Sequence, residues 1–236
     1  MTEEVRVCAD AVVGWHDSWL RALGCRTEID ADAWRALDPA PIIYFKAITR
    51  REEAPLESVA ATRGSVCDSW ARLDLEPCGF KRFATEPWFY RPAGPLPRED
   101  DPAELEIVRV TTPEEVEEFE LASIRGFWKE DATIEPGTTH PATILADTRM
   151  INWIGRADGR PVAAAMSYRT DDAIGIFGVT TVASARRRGY GTALTRAAML
   201  VETDLPAVLD PSEEAEGMYR RLGFRAVGEL TKWAPA

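Results

Sequence analysis

Between residues 150 and 182 the chain sets three largely apolar runs between two turn signals: Met150–Arg156, Val162–Arg169 and Ile174–Val182, separated by Asp158-Gly159 and Asp171-Asp172. Runs of that length, closed by turn dipeptides, predict three strands in an antiparallel meander. Upstream, Leu105-Glu-Ile-Val-Arg-Val110 reads as a short strand. In Thr112-Pro-Glu-Glu115, Thr112 can cap a helix, Pro113 fits its first turn and Glu115 closes a capping box. The helix should run to about Gly126, with Val116, Phe119, Ser123 and Phe127 on one face. Its acids Glu114, Glu115, Glu117, Glu118 and Glu120 read as solvated charge compatible with the helix dipole rather than as a metal site. A second helix is expected around Pro141–Asp147. Downstream, Gly189–Glu202 reads as helix, Ala207-Val-Leu209 as a short buried strand, Ser212–Leu222 as a helix capped by Ser212 and ended by Gly223, and Phe224–Trp233 as strand. The sum is an α/β fold: a mixed, mostly antiparallel sheet with helices on its faces.

The clearest break in the pattern is Arg91–Pro102, where four prolines and a glycine sit in twelve residues. It divides the chain into a unit at 1–92, a linker at 93–104 and a unit at 105–236. In the first unit a helix is expected near Ala9–Leu23, with Val12, Trp15, Trp19 and Leu23 on one side and Gly24 as its stop. Strand Ile42–Ile48, helix Glu52–Ala61, a short strand at Val66, helix Asp68–Leu75 and strand Phe80–Tyr90 follow. That order repeats the order of residues 174–233. The ends match too: Gly79-Phe80 leads to Trp88, and Gly223-Phe224 leads to Trp233. An internal duplication and an unrelated α/β extension are both compatible with this likeness.

Composition narrows the class. Of 236 residues, 45% are hydrophobic and 28% charged, which excludes disorder, collagen and coiled coil. The net charge of -11 opposes a phosphate backbone, so nucleic acid is not an expected partner, whereas a small amine meets no such penalty. Cys8, Cys25, Cys67 and Cys78 show no C-x-x-C spacing, and His16 and His140 offer no partnered pair, so no metal or redox motif is expected. The acidic start lacks a signal-peptide pattern and no apolar run reaches membrane length, which gives a cytoplasmic expectation without membrane contact.

The strongest chemical signal is Val179-Thr-Thr-Val-Ala-Ser-Ala-Arg-Arg-Arg-Gly-Tyr-Gly-Thr-Ala-Leu194. An apolar strand enters a basic, glycine-bearing turn and then a helix, so the amides of Arg188 to Thr192 can converge on an anion. Gly189 and Gly191 clear the backbone's approach, while Arg186, Arg187 and Arg188 concentrate positive charge in an acidic chain. A Walker loop is excluded because no lysine follows either glycine. A dinucleotide loop is excluded because position 194 is Leu rather than the third glycine.

What remains is R-x-x-G-x-G, here Arg186-Arg-Arg-Gly189-Tyr-Gly191, and the segment Glu106 to Trp233 resembles the GNAT acyltransferase superfamily. Met218-Tyr-Arg-Arg-Leu-Gly-Phe224 adds to that resemblance. It implies an N-acetyltransferase that takes acetyl-CoA as co-substrate, needs no metal and acetylates a primary amine on a small molecule or peptide. By resemblance the main chain of Val179, Thr180 and Thr181 pairs with the pantetheine arm, one of those amides polarises the thioester carbonyl, and Arg187, Arg188, Gly189, Tyr190, Gly191 and Thr192, with Arg186 beside them, hold the pyrophosphate. Tyr219 takes the role of general acid. A phenol's pKa near 10 suits it to a departing thiolate, although a helix tyrosine packed on a sheet is the plain alternative. Two positions depart from the family: Ala183 stands where many members have proline, and Ser212 stands where many have asparagine.

The base for the amine is not legible. Glu130, Asp131, Glu135 and His140 fall in the stretch that lines the acceptor pocket in the family, with water-mediated deprotonation an equal option. An acyl-CoA sensor without turnover is therefore the rival reading. In the first unit, Thr49–Pro55 holds two arginines and no glycine, so a GNAT-like copy there should bind no coenzyme A and instead wall the acceptor site. Phe127, Trp128 and Trp153 are compatible with a cationic small molecule, a peptide N-terminus or a lysine. The oligomeric state is not encoded in any of these signals.

Overall fold

The computed structural model describes residues 3–39, 41, 44–96 and 100–236, which form two compact units: Met1–Arg91 with Val208–Ala236, and Pro92–Ala207. Positions 42 and 43 of the expected strand Ile42–Ile48, and 97–99 of the expected linker, lie outside the described residues. The first unit opens with α1 (Glu3–Ala22), six residues longer at its start than expected, and the Cys25 N–H bonds the Leu20 carbonyl at 2.9 Å beyond Gly24 to close it. A hairpin that the sequence pattern missed comes next, β1 (Thr27–Ile29) and β2 (Ala33–Ala36). Its turn is held by Asp30, whose carboxylate accepts the Asp32 and Ala33 N–H groups at 2.8 and 2.9 Å.

After β3 (Ala47–Thr49), the expected helix Glu52–Ala61 shrinks to the single turn α2 (Glu57–Ala60), because the residue before Pro55 is disfavoured in helical geometry. The next strand, β4, is Val66–Asp68. The expected helix Asp68–Leu75 is absent. The buried Asp68 carboxylate instead accepts the N–H groups of Arg72 and Leu73 at 2.6 and 2.7 Å, and Ala71 turns at φ +53°. Strand β5 (Phe80–Arg91) ends this stretch.

In the second unit the expected meander is present with ends moved by two residues at most. Strands β6 (Leu105–Arg109), β7 (Met150–Ala157), β8 (Arg160–Arg169) and β9 (Ile174–Thr181) pair antiparallel in that order. Helix α3 (Pro113–Phe127) starts from the expected capping box, and α4 (Tyr190–Met199) follows β9. The expected helix Pro141–Asp147 is a 3-10 turn, Ala142–Ala146. One acid departs from the solvated reading: Glu120 is fully buried. Its Oε1 accepts the N–H groups of Thr139 and His140 at 2.7 and 2.9 Å, and its Oε2 accepts that of Gly137 at 2.7 Å, so a carboxylate on α3 fixes the loop before the 3-10 turn. The core gathers Leu105, Ala163, Ala165, Val182, Tyr190 and Leu194.

The chain returns to the first unit at Val208, through β10 (Ala207–Leu209), α5 (Glu216–Arg221) and β11 (Arg225–Pro235). Residues 208–236, expected to fold with the unit beginning at 105, thus fold with the N-terminal segment. The sheet runs β1-β2-β3-β4-β11-β5, with only β3 and β4 parallel among the register-assigned pairs. The two Gly-Phe ends precede paired strands: β5 begins one residue after the left-handed Gly79 and β11 two residues after the left-handed Gly223, and they lie antiparallel with Phe80 opposite Pro235 and Arg225 opposite Tyr90. Lys232 of β11 reaches Glu86 of β5 at 2.5 Å and Asp210 after β10 at 2.8 Å. In chain order, α1-β1-β2-β3-α2-β4-β5 is matched by α3-β7-β8-β9-α4-β10-α5-β11 apart from α5. No helix among the described residues is long and apolar enough to cross a membrane.

Candidate functional site

The singular feature of β9 is a bulge. Ala164 and Met166 of β8 stand opposite Thr180 and Phe177, so two steps on β8 face three on β9 and one β9 residue is left without an opposite. Gly178 lies there at φ +58°, and a Cβ on it would meet Met166 Cε at 2.1 Å. Such a bulge interrupts the ladder at Gly178 and Val179, the latter the first residue of the Val179, Thr180 and Thr181 stretch, whereas Thr180 and Thr181 stand opposite Ala164 and Ala163. Thr180 packs its side chain against α3, where a Cβ on Gly126 would fall 2.3 Å from Thr180 Oγ1. Neither Gly126 nor Gly178 was read as functional, although a glycine inside a helix or a strand is a signal of close approach.

Beyond β9 the chain makes a 3-10 turn, Ala183–Ala185, passes Arg187 at φ +63° and Gly189 at φ +84°, and enters α4 with Gly189 at its N-cap. Two left-handed residues separated by Arg188, following the extended Arg186 and set directly before the first turn of a helix, bend the backbone in a way that can gather N–H groups around an anion. The N–H groups of Tyr190, Gly191 and Thr192 belong to that first turn.

The three arginines differ in their contacts. Arg186 bonds the Thr181 carbonyl through Nε and the Gly126 carbonyl through Nη2, both at 3.0 Å, so its charge clamps the turn to the ends of β9 and α3. Arg187 and Arg188 are exposed and make no hydrogen bond among the described residues; after hydrogen bonds from its own N–H and from Tyr190, the Arg188 charge helps hold the Glu104 carboxyl below its usual range, which leaves Arg187 the freer of the two for an anion. Tyr190 contributes only main chain, because its ring is buried and its hydroxyl donates to Glu104 at 3.0 Å. A diphosphate fits this set: main-chain amides and two exposed guanidinia without a hydrogen bond, of which Arg188 also feels the charge of Glu104.

Of the four candidate bases, Glu130 and His140 are engaged, while Asp131 and Glu135 are exposed and their carboxylates make no hydrogen bond or ion pair among the described residues. Glu130 accepts the Ser184 N–H at 2.9 Å and its hydroxyl at shorter range, and these bonds hold its carboxyl below the usual range. His140 is 2% exposed and sits against Phe119, with Nδ1 2.7 Å from Thr139 Oγ1. Burial lowers its pKa to about 3. Phe127 and Trp128, at the end of α3, are more than half exposed.

Ser212 and Tyr219 belong to the first unit. Ser212 is exposed and precedes the 3-10 turn Glu213–Ala215, but its side chain makes no cap bond; the expected helix from Ser212 is that turn followed by the short α5. Tyr219 on α5 is 6% exposed and meets Phe224 edge to face at 5.8 Å. The Gly223 N–H bonds Arg220 and the Phe224 N–H bonds the Tyr219 carbonyl, which closes the helix around that pair.

Residues 114–224 match the model of the acetyltransferase (GNAT) family. The match spans the point at which the chain crosses from one unit to the other. Among solved structures, the chain is similar to a GCN5-related N-acetyltransferase from Kribbella flavida, with TM-score 0.69 and 19% identity over 97% of this chain and 95% of that one. A GCN5-related N-acetyltransferase from Sphaerobacter thermophilus gives TM-score 0.55 and 13% identity over 97% and 92%. An N-acetyltransferase-like protein from Streptococcus suis gives 0.53 and 15% over 98% of both chains. At these identities the shared property is the fold. No curated protein matches the chain by sequence.

Proposed function

Residues 114–224 belong to the acetyltransferase (GNAT) family, and from that membership we propose that the protein moves an acetyl group from acetyl-CoA to a primary amine by direct attack. The observation that carries this reading is the turn between β9 and α4, where the exposed residues Arg187 and Arg188 directly precede the Gly189 N-cap and the first turn of α4. In this reading the amides of Arg187 to Thr192 hold the pyrophosphate. The main chain of Val179 to Thr181 pairs with the pantetheine arm as an added strand, and an amide at the bulge polarises the thioester carbonyl. Arg186 positions the turn. Acetyl-CoA supplies the activated acyl group, and the Tyr219 phenol gives its proton to the leaving sulfur.

The amine must arrive neutral. With His140 buried and Glu130 bonded to Ser184, the proton leaves in this reading through water or to one of the exposed carboxylates Asp131 and Glu135. The N-terminal half is a degenerate copy that binds no coenzyme A. Its arginines at the corresponding turn are bound to acids of their own unit, Arg50 to Asp10 and Arg51 to Asp32. The free thiols Cys8, Cys25, Cys67 and Cys78 suit a reducing cytoplasm.

The engaged state of Glu130 and His140, two of the four candidate bases, also favours one second reading, an acyl-CoA sensor without turnover. Incubation with acetyl-CoA and a panel of small-molecule and peptide amines, followed by free thiol release, separates the two. Release that depends on one class of amine supports the transferase. Tight acetyl-CoA binding with no release across the panel supports the sensor.

A further inference from the structure

A cavity of about 440 Å³ lies within the first unit, between the end of β2, the start of β3 and the turn after α2, lined in part by Arg35, Asp38, Lys46, Glu57, Ser58 and Arg63. It opens at the opposite end of β3 from Thr49–Pro55, so it is not a counterpart of the turn before α4. Two of its charges are already matched. Arg35 pairs with Asp30 at 2.7 Å, and Asp38 accepts both arms of Arg26 at 2.8 and 3.0 Å.

Lys46 is different. The residue is 9% exposed, its Nζ donates to the Pro41 carbonyl at 2.8 Å, and no carboxylate among the described residues forms an ion pair with it. The fold makes room for its stem: Gly64, at φ +143°, would carry a Cβ 2.3 Å from Lys46 Cγ. Ser58 Oγ, on a residue 8% exposed, is buried without a hydrogen-bond partner. Arg63 is exposed and uncommitted, and against these cations stands one exposed and uncommitted acid, Glu57. A buried ammonium without a counter-charge is costly. Burial accordingly lowers Lys46 to about 8.

We propose that this cavity is a binding site for a small oxyanion, a phosphate or carboxylate group, held by Lys46 and Ser58 inside and Arg63 at the rim. An anion seated there supplies the counter-charge that Lys46 lacks, accepts from the Ser58 hydroxyl and closes against a guanidinium. Nothing in this proposal depends on the transferase reading.

The chain's lysines are Lys46, Lys81, Lys129 and Lys232, so full-length protein carrying 13C at lysine Cε gives four assignable reporters. Inorganic phosphate and malonate are titrated separately at constant ionic strength set with chloride. The expected result is a saturable shift of the Lys46 signal below about 10 mM of one probe, weakened about three-fold or more by Arg63→Ala. Saturation by phosphate alone assigns a phosphoryl ligand, and saturation by malonate alone a carboxylate. Because Arg63 is exposed, that variant keeps the fold, while Lys46→Met should remove the stabilisation against heat that the effective probe gives. A Lys46 signal that tracks ionic strength with either probe, or a saturable shift indifferent to Arg63→Ala, overturns the site.

Discussion

The guanidinium of Arg186 donates to the carbonyl of Gly126 at 3.0 Å, joining the turn after β9 to the last turn of α3. Its neighbours Arg187 and Arg188 touch nothing comparable. Three consecutive arginines should therefore respond differently to substitution. Arg186→Ala removes two charge-assisted bonds and should cost about 1–3 kcal/mol of stability, along with coenzyme A affinity. Arg187→Ala and Arg188→Ala should leave melting temperature unchanged and weaken coenzyme A about 3–10-fold each, a loss that shrinks with added salt. Calorimetric titration beside thermal unfolding reads both quantities. Equal thermal effects across the three would remove the division between clamp and ligand.

Gly126 is where α3 meets Thr180, with 2.3 Å between a notional Cβ and Oγ1. The nearest atoms belong to a short β-branched side chain that cannot swing away. Gly126→Ala should destabilise by about 1–3 kcal/mol through overpacking. Thr180→Ala, made on top of it, should recover part of the loss, a coupling visible in a double-mutant cycle by urea unfolding. Additive losses would show that the contact is not the cause.

How far the sequence reaches is clear from these same residues. Long runs with local punctuation, β7 to β9 and the capped α3, were readable because periodicity and turn chemistry act within a few residues. The three- and four-residue strands β1 and β2 are too short for any period to show. Asp68 and Glu120 were misread for one reason: each is a charged residue inside a segment of plausible helical pattern, and only tertiary contact shows that its carboxylate is buried against main-chain N–H groups. The pairing of β11 with β4 and β5 joins segments well over a hundred residues apart, and no local pattern encodes such a register. The turn at Arg186 to Gly191 was found because its glycines and charges are adjacent in sequence. The difference in contacts among its arginines was not, because Gly126 lies sixty positions away.

Acid should destabilise the protein through its two histidines. His16 bonds the Val12 carbonyl at Nδ1 and accepts the Phe45 N–H at Nε2, and burial lowers it to about 4; burial lowers His140 to about 3. The unfolded chain protonates both near 6.5. Between those values the unfolded state binds more protons, so stability is full above about pH 6.5 and falls as pH drops, by about 1 kcal/mol per histidine for each pH unit. Asp30 and Asp38, held near 2, add their own loss only below about pH 4. Urea unfolding between pH 7 and 5 should give a slope that His140→Gln roughly halves. An unchanged slope in that variant would mean that His140 is protonated in the folded protein.

Tyr219 carries the sharpest chemical prediction. Its ring is buried against Phe224, and Tyr219→Phe keeps the ring and that contact while deleting only the hydroxyl. If the hydroxyl protonates the departing thiolate, acetyl-CoA affinity and melting temperature should hold while the chemical step slows by about 10²–10⁴-fold, the usual worth of a positioned acid. If the residue serves packing alone, turnover should stay within a few-fold and any defect should appear in thermal unfolding. Single-turnover kinetics must accompany the steady-state rates, since slow product release can mask a slowed chemical step. Chemistry at full speed in the Phe variant would take Tyr219 out of the mechanism. It would leave the proposed pyrophosphate site at Arg187 to Thr192 untouched, because that proposal rests on amides and guanidinia in the other unit.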